Sequence, residues 1–142
     1  MACASGRGVG RAGDNENFDN CAKKGYAQEG RGYYNWARQF KTPIELCKAM
    51  ANRFSYHNHS DNWYCPDKIH NNGGTLHANC YDACRYVKVC FDACGFDAVI
   101  ITGYPYDGIG HGWNAVKHNG RWYSFDLCYS VRGSNWQGTN SL

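Results

Sequence analysis

A chain of 142 residues with a formal charge of +3, five Trp, eleven Tyr, six Phe and only three Pro is long enough to bury a core without metal or disulfides. Its aromatic content argues against general disorder, and its scattered basic residues argue against nucleic-acid binding, which wants a dense cationic face. No apolar run reaches the roughly 20 residues of a membrane span and the start, MACASGRGVGRAGDNENF, lacks the apolar centre of a signal peptide, so no membrane partner is expected.

Residues 1–32 are rich in Gly, Asn, Asp and charge with little periodicity, and read as an arm or linker ahead of one domain over 33–142. From Tyr33 to Phe54, Trp36, Phe40, Ile44, Cys47, Met50, Ala51 and Phe54 recur at intervals of three and four, which predicts one or two amphipathic helices. Thr42-Pro43-Ile44-Glu45 supplies an N-cap, a first-turn proline and the Glu of a capping box. Residues 55–74 are polar and full of turn formers, and predict a long loop.

Asn79 is placed to cap a helix from Cys80 to Cys94, with Gly95 where a C-terminal glycine stops one. Residues 97–104, DAVIITGY, have the β-branched apolar character of a central strand. In HGWNAVKHNGRWYSFDLCYS, residues 111–130, Asn119-Gly120 separates two alternating runs and predicts a tight hairpin. The last dozen residues read as an unstructured or edge-packed tail. The expected class is α+β, with a helical N-terminal half packed on a small antiparallel sheet built from residues 97–128.

The hairpin carries the chemistry. A two-residue turn pairs His118 with Arg121, and counting outward pairs Trp113 with Asp126. His111, Trp113, Asp126 and Cys128 then share one face, with His111 diagonal to Asp126. A histidine oriented by a carboxylate is a base in need of a nucleophile. Nine cysteines, Cys3, Cys21, Cys47, Cys65, Cys80, Cys84, Cys90, Cys94 and Cys128, leave at least one thiol unpaired, which fits a reducing compartment or a reactive thiol. Cys80 is the best placed, because the first turn of a helix offers a positive dipole end and unpaired N–H groups that favour thiolate. Those N–H groups can also hold an oxyanion, with His77, Asn79 or Trp113 as further substrate-side candidates. Cys84 follows Cys80 as an alternative by proximity, with Cys21 more distant; Cys84, Cys90 and Cys94 otherwise read as core sulfur.

Together, GGTLHANCYDAC, CGFDAVIITGY and HGWNAVKHNGRWYSFD resemble the transglutaminase-like cysteine peptidase superfamily, whose fold is related to that of papain-like enzymes. The resemblance covers about residues 42–130. It implies a triad of Cys80, His111 and Asp126, with Trp122 opening the run that ends in the Asp. Within that superfamily the compact core, the NCYDA context and the Asn- and Tyr-rich loops are similar to archaeal-virus pseudomurein endoisopeptidases. That likeness implies hydrolysis of cell-wall peptide cross-links by a protein made in the cytoplasm and released to reach the wall.

Three alternatives stand beside this reading. Transfer of the acyl group to an amine would make the same site a transglutaminase. A zinc module could draw on Cys65, His70, His77 and Cys80, although no CxxC pair occurs in the chain. A catalytically silent binding module on the same fold is the third. The hydrolase reading requires no cofactor or metal. The GDNEN and YDGIG loops carry oxygen ligands of the kind calcium takes but are too short to define a site. A monomer acting on a peptide or cross-link substrate is expected.

Overall fold

The computed structural model describes residues 27–59, 64–71, 76–106, 109–128 and 139–141. In chain order these form α1 (Gly32–Ala37), α2 (Pro43–Arg53), β1 (Phe54–Tyr56), α3 (Pro66–His70), β2 (Leu76–Ala78), α4 (Cys80–Cys94), β3 (Ala98–Tyr106), β4 (Ile109–His118), β5 (Arg121–Phe125) and β6 (Thr139–Ser141). Helices and a small antiparallel sheet in one architecture are what the sequence leads one to expect.

Local chemistry sets the main boundaries. The Thr42 hydroxyl accepts from the Glu45 N–H and the Glu45 carboxylate accepts from the Thr42 N–H, so the start of α2 is a complete capping box with Pro43 in its first turn. The same device opens α4: Asn79 Oδ1 accepts from the Asp82 N–H at 3.0 Å, and Asp82 Oδ2 accepts from the Asn79 N–H at 3.3 Å. Gly95, in the left-handed conformation, closes that helix.

The 15-residue α4 is the axis of the molecule. Its sequence suggests a single apolar stripe, yet residues 82–87, 89–91 and 93 are all buried, so it is enclosed on nearly every face. The reason is that α1 and α3 pack on it as well as β3 and β4. Leu46, Cys47 and Met50 of α2, Tyr33 of α1, Ile69 of α3 and Phe125 of β5 complete the core around Tyr86, Val87, Cys90 and Phe91.

The sheet runs β3-β4-β5-β6, antiparallel throughout. His118 pairs with Arg121, and Asn119 and Gly120 take φ of 52° and 76°, the two positive values that a tight hairpin turn demands. The ladder continues from there to Asn114 opposite Phe125.

Three features differ from the sequence reading. Residues 55–74 are not one long loop: β1 continues to Tyr56, and Pro66 starts α3 with Ile69 buried. β2 pairs in parallel with β1, Phe54 opposite Leu76 and Tyr56 opposite Ala78. Strands of three residues are too short to show a period, although Phe54, Leu76 and Ala78 of this pair are buried. Finally, the C-terminal segment supplies β6, which extends the sheet beyond residue 128. The arm reading for residues 1–32 falls mostly on residues 1–26, outside the described ones, as do Cys3, Cys21 and the GDNEN loop. Among the described residues no helix is long and apolar enough to cross a membrane.

Candidate active site

Cys80 is the first residue of α4 and half-buried, His111 lies on β4, and Asp126 follows the last residue of β5. His111 Nε2 and Asp126 Oδ2 are 2.6 Å apart, with side chains 13% and 17% exposed. The hairpin register explains the meeting: His111 and Asp126 each lie an even number of residues from the opposed pair Lys117 and Trp122, so strand alternation keeps them on one face. The Cys80 side chain lies near enough to the same imidazole to favour its protonated form. With Nε2 engaged by the carboxylate, Nδ1 is the ring nitrogen left for the thiol.

Burial of the imidazole opposes its charge, but the hydrogen bonds and charges of Asp126 and Cys80 outweigh that and raise His111 to about 9. The ring is therefore held as a cation between two groups that bear negative charge when ionised. As the first residue of α4, Cys80 has a backbone N–H with no intrahelical acceptor, beside the positive end of the helix dipole. A thiol, an imidazole, a carboxylate and a backbone N–H at a helix start thus converge.

Close packing holds these parts. Trp113 stacks on His111 with centroids 5.6 Å apart and planes at 22°. The Trp113 ring covers Gly103 across the sheet, so that a Cβ there would meet it at 3.3 Å. On α4, Tyr81 lies against the strand that carries His111: a Cβ on Gly110 would be 2.5 Å from its hydroxyl, and one on Gly112 would be 3.0 Å from both its ring and Cys84 Sγ. Helix and strand approach this closely because Gly110 and Gly112 have no side chain. Fully buried Asn114 adds a polar tie, its Nδ2 donating to the Cys84 carbonyl of α4 at 2.9 Å and the Val99 carbonyl of β3 at 3.2 Å.

Of the other candidates, Asn79 commits its side-chain oxygen to the helix cap. His77 is backbone-paired with Ser55 in the β1-β2 ladder rather than placed in a loop. Burial pushes the Cys84 thiol far above the ordinary range, and its Sγ donates to the Tyr81 carbonyl, so it is core sulfur rather than a rival nucleophile. Cys90 is equally buried, whereas Cys94 is half-buried and donates to the Ala37 carbonyl. All seven cysteines among the described residues are free thiols. Of the zinc set, His70 Nδ1 is 2.8 Å from the Tyr86 hydroxyl, and no group of three or more metal-ligating side chains occurs among the described residues.

Sequence reasoning missed Asn114, Tyr81 and the glycines that admit it. Asn114 resembles any strand asparagine until α4 is docked. Gly110 and Gly112, flanking His111, were the available signal of a close approach.

No family model and no curated protein sequence matches the chain. Solved structures do. The periplasmic domain of TgpA from Pseudomonas aeruginosa, in a structure bound to ethylmercury, is similar with a TM-score of 0.55 and 17% identity over 81% of this chain and 51% of that one. A candidate cysteine protease from Cytophaga hutchinsonii is similar with a TM-score of 0.57 and 15% identity over 86% of this chain and 45% of that one. The chain thus spans about half the length of the structures it matches. Its mixed fold of helices and a small antiparallel sheet is the one it shares with these two structures.

Proposed function

We propose that the protein is a cysteine hydrolase that cleaves amide or isopeptide bonds, with Cys80 as nucleophile, His111 as acid and base, and Asp126 as the group that orients and charges the imidazole. The observation that carries this reading is the 2.6 Å His111–Asp126 contact with Cys80 beside the same ring.

Cys80 Sγ attacks the carbonyl carbon while the proton resides on His111, and the oxygen takes up negative charge at the start of α4. Collapse of the tetrahedral intermediate expels the amine, which takes its proton from His111 and leaves a thioester on Cys80. His111, now neutral, removes a proton from water; attack on the thioester releases the carboxylic acid and restores the thiol. Asp126 holds the Nε2–H tautomer throughout and stabilises the imidazolium, the part a carboxylate plays in such triads.

Peptide cross-links of pseudomurein are the substrate class we propose, on the likeness of NCYDA and its surroundings to archaeal-virus endoisopeptidases. The test is hydrolysis of isolated pseudomurein and of synthetic isopeptides, with an added primary amine to detect transfer. Cys80→Ala is expected to abolish turnover while circular dichroism stays unchanged. Turnover retained by that variant refutes the assignment, and amide formation with the added amine in preference to acid release makes the enzyme a transglutaminase.

A further inference from the structure

A second histidine–carboxylate pair lies beneath the first turn of the helix that carries Cys80. His59 Nε2 is 2.6 Å from Asp82 Oδ2, and the two side chains are 4% and 0% exposed. Asp82 is the third residue of α4. Its Oδ2 also accepts from the Asn79 N–H, and its Oδ1 accepts from the Tyr64 N–H at 2.9 Å. The Tyr64 ring lies parallel to the His59 ring at 3.9 Å, and Lys68 Nζ sits 3.9 Å from the Tyr64 centroid. On the other side, the His57 N–H donates to the Ala78 carbonyl at 3.0 Å, so the chain entering His59 is anchored to β2 just ahead of the cap.

A capping box needs only Asn79 and Asp82, and at a surface helix start the carboxylate would face water. Here it is wholly enclosed, which is costly for a charged group unless its partners are fixed. His59 is one such partner. Among the described residues its Nδ1 makes no hydrogen bond, so the ring's hydrogen bonding is through Nε2, to Asp82, while Tyr64 stacks on its face. The carboxylate thereby joins three chain segments, at residues 59, 64 and 79, two positions from Cys80.

We infer that His59 and Asp82 are positioning residues that lock the first turn of α4 so that Cys80 stays against His111. This rests on the reading of Cys80 and His111 as nucleophile and base. Neither residue touches the reacting atoms. Their effect is to fix where the sulfur sits, to which reactivity is sensitive because displacements near 1 Å cost large factors in rate.

The test is the rate of Cys80 alkylation by iodoacetamide at pH 6, mapped by peptide mass spectrometry, in wild type, His59→Leu and His59→Gln, each with and without His111→Ala. Gln can place an N–H donor near the position of Nε2. His59→Leu is expected to slow Cys80 about tenfold, His111→Ala is expected to add nothing to it, and Gln is expected to recover most of the rate. A His59→Leu protein with the wild-type rate, or one slowed equally with His111 present and absent, overturns the inference. If near-ultraviolet circular dichroism shows that His59→Leu does not fold, Asp82→Asn, which keeps an acceptor for the cap, decides by the same two readings. A His111→Ala protein that alkylates like wild type overturns the nucleophile reading itself, a result distinct from either.

Discussion

His111 Nε2 and Asp126 Oδ2 lie 2.6 Å apart although they are fifteen positions apart in the chain. The folded pKa of His111 is raised to about 9 from 6.5, so its contribution to stability is fully present below pH 6.5 and is lost as pH rises through about 9. Nuclear magnetic resonance titration of the imidazole should give a midpoint near 9, and Asp126→Asn should move it down. The stability lost by Asp126→Asn should be largest near pH 6 and should shrink by pH 10. An unchanged midpoint in the variant would show that the carboxylate does not hold the charge.

Turnover should follow the same proton. Losing it from His111 removes the acid for the leaving amine, so the alkaline limb of the rate profile should lie near 9. A rate that continues to climb past pH 10 on an amide substrate would exclude protonated His111 as the working form.

Gly112 is one place where α4 and β4 come close. A methyl group there would press on the buried Cys84 sulfur and the Tyr81 ring, both at 3.0 Å and both on the first turns of α4. Gly112→Ala should destabilise by about 1–3 kcal/mol in urea melts, the usual cost of overpacking, and should also reduce turnover. A stable variant with full activity would mean that the contact relaxes freely.

Asn114 fastens α4 to β3 through two donated hydrogen bonds from a fully buried amide. Asn114→Ala should cost about 1–3 kcal/mol by chemical denaturation.

Thr42 offers the contrasting case. Its capping box stabilises α2, which carries no proposed site residue. Thr42→Ala should cost about 1 kcal/mol and leave the kinetic constants of the folded protein unchanged.

These contrasts track what a sequence can carry. The hairpin was legible because Asn119-Gly120 fixes a register and a register fixes faces, so one turn placed His111 beside Asp126. The start of α4 was legible because a cap is a local contact between Asn79 and Asp82. His59 was not: it meets Asp82 across 23 residues, through a polar stretch with no period, and its only local mark is a neighbouring His57. The β1-β2 pair was hidden for a related reason, since a parallel ladder of three residues leaves no alternation long enough to count. Asn114 shows its role only once the helix whose carbonyl it binds is docked on the sheet.

β6 covers the outer edge of β5, with Phe125 opposite Thr139 and Tyr123 opposite Ser141. Asp126 is the next residue after that covered stretch. A version of the protein cut before Thr139 would leave the backbone groups of β5 as an open template, and exposed strand edges recruit strands from other molecules. Such a version would self-associate beside the carboxylate, so its loss of activity would grow with protein concentration and would reverse on dilution.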